Sequence, residues 1–247
     1  MQQKTTGIVL RHADYKDYHR MLTLFTPDRG RLSASAPASR RPKSALAQLT
    51  EVFTLAEFIL EDKGGRLTLT GGDIIDSFYD LRMDLENLGC ALYMRDFCET
   101  VVGEGHGMPE LFTLFAKALS MLCYNKLNHR IVRCAFDLKA MDIAGFRPVL
   151  DSCSNCGKAL DSKVYFSPSS GGAVCAQCTK PADSFEMGLQ ALGTMGQMQR
   201  MPIENVVVIR VKDEILEDIK ELMIRYMRYY LNRKFKSSDF LNNIYPA

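Results

Sequence analysis

Along "GRLSASAPAS" (residues 30–39) apolar and polar positions alternate. Leu32, Ala34 and Ala36 fall on one side, and Arg31, Ser33 and Ser35 on the other. A period of two marks a strand with one buried face. "TGIVLRHA" (6–13) and "RMLTLFT" (20–26) read as two further short strands. "LTEVFTLAEFILED" (49–62) and "RLTLTGGDIIDSF" (66–78) flank "KGG", a hairpin-turn signal. Five strands in so short a stretch, with a looped break at "PASRRPKSALAQ" (37–48), have the size and count of an OB-type β-barrel.

From about Asp80 the period lengthens. Leu81, Leu85, Leu88 and Leu92 recur at helical spacing, and Cys90, Met94, Phe97 and Val101 form a second such row. "GEGHGMP" (103–109) breaks that helix. Leu111, Phe115, Ala118 and Leu122 predict a second helix; Ile131, Cys134, Leu138 and Met141 predict a third, ending near Gly145 and Pro148. A Ser-, Gly- and Cys-rich segment follows at 151–180. After it come a helix over Ser184 to Gln199, with Ser184 as its cap, and a long one from Asp213 to Phe235. The pattern therefore predicts an α+β chain of several domains. An N-terminal OB-type β-barrel spans 1–79, and an α-helical domain spans 80–150 and 181–247. A four-cysteine zinc-binding insertion lies within the latter at 151–180.

The cysteines add the first chemistry. "CSNC" places Cys153 and Cys156, and "CAQC" places Cys175 and Cys178, with eighteen residues between the pairs. Two Cys-x-x-Cys pairs at such spacing are a zinc pattern, since each pair brings two sulfurs to one ion from a tight turn. Four sulfurs close the coordination shell, whereas a catalytic zinc keeps a position open. The expectation is one structural Zn2+ per chain, fixing a segment too small for its own core. Beyond these pairs, only Asp151 and Asp161 in this segment could serve as a base. Cys90, Cys98, Cys123 and Cys134 lie singly in helical segments and read as buried small hydrophobes.

Charge changes the picture next. In residues 1–50 nine Lys or Arg face only Asp14, Asp17 and Asp28, a balance of +6 in a chain whose net charge is +2. A basic module on an acidic body points to a polyanion. "SRRPKS" supplies Arg40, Arg41 and Lys43; Arg29 and Arg31 flank a turn; and Arg11, Lys16 and Arg20 lie at or beside the first turn, with Tyr15 and Tyr18 interleaved. Cations beside flat rings suit nucleic acid, charge for phosphates and ring faces for bases. The basic end of the last helix (Arg225, Arg228, Arg233, Lys234, Lys236) reads first as a solvated end that complements the helix dipole.

Enzyme chemistry finds little footing. Pro27-Asp28 and Glu61-Asp62-Lys63 spell a nuclease-like pattern, but both fall in predicted hairpin turns, where such residues serve the turn. There is no phosphate-binding G-x-x-x-x-G-K-[ST] loop, and the four histidines are scattered. No apolar run approaches the length of a membrane span, and "MQQKTTGIVLRHADYK" has no long apolar region of a signal peptide. The expectation is a cytoplasmic non-enzyme with no membrane partner and no small-molecule substrate.

Residues 7–58, from "GIVLRHADYKDYHRMLTLFT" through "GRLSASAPASRRPKS" to "LAEF", resemble the N-terminal signature of the RecO family of bacterial DNA repair proteins. "AGFRPVLDSCSNCGKAL" and "FSPSSGGAVCAQC" are similar to its helix-to-zinc junction and second knuckle, and "YYLNRKFKSSDFLNNI" to its closing segment. The resemblance implies a recombination mediator that binds single- and double-stranded DNA and anneals complementary strands. It also implies work with RecR and the single-strand binding protein to load RecA. The chain departs from the family pattern at Lys16-Asp17-Tyr18-His19, and at Ala36, Ala38 and Ser39, where the family often has glycine. From the residues alone, a zinc-stapled OB protein for RNA and a non-catalytic scaffold remain the alternatives.

Overall fold

The structure is a computed structural model that describes residues 1–125, 128–160 and 163–233. The chain divides into two compact units, Met1–Cys123 and Tyr124–Ala247.

In the first unit, strands β1 (Gln2–Tyr15), β2 (His19–Thr26), β3 (Gly30–Ala36), β4 (Leu55–Lys63) and β5 (Arg66–Asp76) close a barrel in the order β1-β2-β3-β5-β4. All neighbours are antiparallel except β3 and β5, whose short parallel pairing (Ala34 with Leu67, Ser35 with Thr68) shuts the cylinder. This is the five-stranded OB-like architecture. The alternation of β3 holds: Leu32, Ala34 and Ala36 are buried, and Arg31, Ser33 and Ser35 are not. Their interior neighbours are Val9, Leu22, Leu24, Phe58, Leu60 and Leu69, and Leu49 joins them from a 3-10 turn at Gln48–Thr50.

Helices α1 (Leu85–Val101) and α2 (Pro109–Tyr124) follow; α2 packs Phe112 edge-on against Phe25 of β2 at 5.3 Å. The helix predicted from Asp80 begins later. Residues Tyr79–Met83 form a 3-10 turn, and Asp84 then caps α1 by accepting from the backbone N–H of Glu86 and Asn87. Of the row Leu81, Leu85, Leu88, Leu92 only Leu81 is buried, and it lies in the 3-10 turn; Leu85 is exposed and Leu88 and Leu92 are half-buried. The second row carries the packing, with Cys90, Met94 and Phe97 buried.

The break at "GEGHG" has a structural task. Its backbone lies against the β2–β3 turn: Arg31 N–H donates to Gly103 O and Gly105 N–H donates to Arg29 O, each at 3.0 Å. Gly30 has φ of +64°, and a Cβ there would collide with the carbonyl oxygens of Gly103 and His106. Only glycine permits both that backbone conformation and that approach.

In the second unit, α3 (His129–Ile143) starts on an Asn128 cap, and α4 (Leu189–Arg200) and α5 (Asp213–Leu231) pack against it. Between α3 and α4 lies a three-stranded antiparallel sheet of β6 (Val164–Ser167), β7 (Gly172–Cys175) and β8 (Phe185–Met187), in the order β7-β6-β8. The helix expected from Ser184 is corrected here. Residues 185–187 pair with β6, Ser184 Oγ donates to Pro181 O, and the helix begins only at Leu189. The long last helix stops at Leu231, where Asn232 takes a left-handed conformation; Phe235 lies outside the described residues. Tyr226 and Tyr230 of α5 lean on Phe166 and Phe146, and their hydroxyls donate to Gly171 O and Pro168 O, tying α5 to the β6–β7 turn. Among the described residues, no helix is long and apolar enough to cross a membrane.

Candidate metal centre and nucleic-acid interface

Backbone contacts bring the two cysteine pairs together. Cys153 N–H donates to Lys158 O (2.8 Å), and Gly157 N–H returns to Cys153 O (2.8 Å), which closes the first knuckle. Ser154 N–H reaches Ala173 O on β7 at 2.7 Å, pinning that knuckle beside the second. All four Sγ atoms lie within 4.8 Å of one another; Cys153–Cys178 and Cys156–Cys175 are each 3.8 Å apart. A tetrahedral thiolate site with metal–sulfur bonds of about 2.3 Å has sulfurs about 3.8 Å apart. The quartet fits that geometry and could hold a metal ion; a disulfide would need sulfurs at about 2 Å.

The thiols are electrostatically unequal. Burial alone would raise Cys153, but the backbone N–H groups of Cys175, Cys156 and Asn155 bring it down to about 6. Hydrogen bonds with Cys156 and Cys175 push Cys178 up to about 12. The four thiols share hydrogen bonds, and a cation would take the place of their protons. Of the single cysteines, Cys90, Cys98 and Cys134 are buried as expected, and Cys123 is half-buried. Burial pushes the Cys98 thiol well above its ordinary value. Of the two acids in the cysteine segment, Asp151 is exposed and Asp161 lies outside the described residues.

The eight basic positions separate into distinct groups. At the β1–β2 hairpin, Lys16 lies over the ring of Tyr15 at 5.3 Å, and Arg41 over the ring of Tyr18 at 5.5 Å. The loop carrying Arg40, Arg41 and Lys43 is stitched to that hairpin: Arg40 N–H donates to Tyr18 O at 3.1 Å, and its guanidinium donates to Asp17 O at 3.3 Å. Successive turns, with Arg41 N–H to Ala38 O and Ser44 N–H to Arg41 O, hold the loop in shape. Ala38 and Lys43 adopt φ of +56° and +62°, so at Ala38 the chain places alanine in a conformation that favours glycine. Lys16, Arg41 and Lys43 are exposed and make no ion pair with any described residue. Arg40 is partly neutralised by Asp14 at 3.4 Å.

The other four cations each have a hydrogen-bond partner within the first unit. Arg20, half-buried, donates to Thr50 Oγ1 (2.7 Å) and Glu51 (2.8 Å), fastening β2 to the turn before β4. Arg11 crosses to α1 and meets Glu99 at 2.6 Å and Asp96 at 3.7 Å. Arg31 donates to the backbone carbonyl of Glu99 at 3.2 Å. That helix has no basic residue in its own last turn, so the barrel supplies the charge its C-terminal carbonyls favour. Arg29 is exposed on the β2–β3 turn, at the other end of β2 from the hairpin, and donates to Gln3 at 2.9 Å. Sequence reasoning missed Asp14, Glu51, Asp96 and Glu99 as partners; only the i,i+3 spacing of Asp96 and Glu99 hinted at a shared helix face.

The nuclease-like residues act locally. Asp62 accepts from Gly65 N–H at 2.8 Å, and Lys63 pairs with Glu61 at 3.1 Å. On α5, Arg225 lies over Phe185 and pairs with Glu221, and Arg228 is exposed, as is Arg233 past the helix end; Lys234 and Lys236 lie outside the described residues.

Comparison with known proteins decides the family. Residues 1–78 match the family model described as recombination protein O N terminal, and residues 82–239 the one described as recombination protein O C terminal. The chain belongs to the RecO family. A relative from Pelotomaculum thermopropionicum, named DNA repair protein RecO, is 31% identical over 246 residues, covering 99% of this chain and 95% of the relative. Another of the same name from Myxococcus xanthus is 31% identical over 243 residues, covering 96% of each. One from Acetivibrio thermocellus is 28% identical over 242 residues, covering 98% of this chain and 96% of the relative. The match extends across barrel, helices and cysteine segment, so the OB-like barrel and the four-cysteine centre sit in a RecO-family DNA repair protein.

Proposed function

We propose that this protein is a non-enzymatic recombination mediator. It binds single- and double-stranded DNA through the barrel, anneals complementary strands and, with RecR, helps load RecA onto DNA coated by single-strand binding protein. Residues 1–79 serve as the DNA-binding module and 151–180 as a zinc-fixed insertion in the helical remainder. The observation that carries the reading is the hairpin–loop surface, where Lys16, Arg41 and Lys43 stand unpaired beside Arg40 and two exposed tyrosines. Such a surface supplies phosphate contacts without a base-specific code, as a protein that handles any sequence requires. Arg29 extends the same reading to the far turn. Arg11, Arg20 and Arg31 contribute by holding the barrel in shape and not by touching DNA.

Zinc is the metal the quartet favours, because four soft thiolates in a tetrahedron select it over hard cations. Cys153, Cys156, Cys175 and Cys178 would hold it, and the closed shell makes its contribution structural. The test of function is annealing of two complementary fluorescent DNA strands without ATP. Acceleration that fades as salt rises is the expected result. Tight strand binding with no acceleration would refute annealing and leave a loading adaptor, and a preference for RNA over DNA of equal sequence would favour an RNA-directed barrel.

A further inference from the structure

The hairpin–loop surface holds more than charge. Tyr15 and Tyr18 are 48% and 47% exposed, unusual for rings placed beside a barrel whose other aromatics, Phe25 and Phe58, are fully buried. Each ring has a cation over it, Lys16 on Tyr15 and Arg41 on Tyr18. Neither cation has an acidic partner among the described residues, so both are free to turn away toward a phosphate. The ring faces they leave are flat and apolar, and they project from a held backbone. Tyr15 ends β1 in register with His19, and the Tyr18 carbonyl is held by Arg40 N–H.

Resting on the DNA-binding reading above, we infer that Tyr15 and Tyr18 are base platforms that make this surface prefer single-stranded over duplex DNA. In the free protein Lys16 and Arg41 lie over the rings, which stay about half exposed. When a strand arrives, the cations move to its phosphates and unpaired bases take their place on the rings. A duplex keeps its bases stacked inside and can use only the cations. Charge therefore sets affinity for either form, and the tyrosines set the preference between them. The loop carrying Arg41 is tied to the Tyr18 carbonyl, so phosphate capture and ring exposure occur on one small, preformed surface.

The experiment compares Tyr15→Leu/Tyr18→Leu with Tyr15→Phe/Tyr18→Phe in the full chain. The readouts are affinity for a single strand and for the matching duplex, and the fluorescence of a 2-aminopurine base in the single strand. The Leu pair should lose about 10-fold or more in single-strand affinity while duplex affinity and salt dependence stay put. The Phe pair should retain the preference and the 2-aminopurine quenching that the Leu pair loses. Equal loss on both forms, no loss on either, or failure of phenylalanine to restore the preference would overturn the inference. A Lys16→Ala/Arg41→Ala/Lys43→Ala variant separates the two claims. If it binds both forms as the parent does, the DNA-binding reading itself falls. If it weakens both while the Leu pair changes nothing, only the platforms fall.

Discussion

Lys16→Ala/Arg41→Ala/Lys43→Ala should flatten the salt dependence of DNA binding, and the structure says by how much. Each cation that neutralises a phosphate releases counterions and adds about 0.7 to the slope of log affinity against log salt for a single strand. Arg40 is already shared between Asp14 and the Asp17 carbonyl, so three free cations remain at this surface. Removing them should lower the slope by about 2, so that between about 50 and 200 mM salt the parent loses about 16-fold more affinity than the variant. The assay is fluorescence anisotropy of a labelled single strand at several salt concentrations.

The comparison variants sharpen the argument. Arg11→Ala removes a cation that Glu99 already holds at 2.6 Å, and Arg20→Ala one held by Glu51 at 2.8 Å. Both should leave the slope unchanged. Arg11 is itself exposed but its partners Glu99 and Asp96 are largely buried, so its loss should cost about 1 kcal/mol of stability. Arg20, whose side chain is only 17% exposed, should cost more, about 1–3 kcal/mol, since Thr50 and Glu51 lose a charged partner. If either variant lowers the slope by the about 0.7 expected for a phosphate-binding cation, sorting the cations by their partners is the wrong guide to which of them meet DNA.

Protein never exposed to chelator should carry about one metal ion per chain, and Cys153→Ser should lose it together with thermal stability, whereas Cys98→Ala should keep it; elemental analysis and melting curves check both. Gly30→Ala should destabilise by more than about 2 kcal/mol, because it combines left-handed strain with a backbone collision, while Gly105→Ala, with open space around it, should cost only about 1 kcal/mol. Burial works to raise Asp183, but the hydroxyls of Ser167 and Ser169 and the Ser169 N–H hold its carboxyl below the ordinary 3.8. Its contribution to stability is therefore present above about pH 4 and fades as pH falls through the lower folded value, so Asp183→Asn should lower Tm at neutral pH and match the parent in strong acid.

The barrel was legible because its signals are local. Alternation in β3, the "KGG" turn and the strand count all act within a few residues, and five strands formed, though the fourth begins only at Leu55, after a 3-10 turn at Gln48–Thr50 that the expected strand from 49 had included. The misreadings fall where a distant partner outweighs local preference. Residues 185–187 have no strong strand signal, yet β6 offers a free edge and takes them as a third strand. Leu85 belongs to an apolar row on paper, but α1 turns its other row toward the core. "GEGHG" reads as a mere loop until Gly30 is seen beneath it.

The same division explains the site. The cysteine quartet could be read because ligand spacing within each knuckle fixes most of its geometry, and the eighteen-residue gap is bridged by one hairpin of β6 and β7. The cations could be counted but not sorted. Arg11 and Glu99 are 88 residues apart, and Arg20 and Glu51 are 31 apart, so composition credits the first fifty residues with charge that the folded barrel neutralises from outside them. A basic N-terminal module is thus a smaller polyanion surface than its sequence implies. Lys16, Arg41 and Lys43 keep their charge unpaired on one hairpin and one loop, which also leave two tyrosines exposed, while Arg29 stands on the far turn. Exposed charges and exposed rings at one place contribute little to the stability of the barrel. Their coincidence argues that this corner of the barrel is shaped for a ligand rather than for the fold.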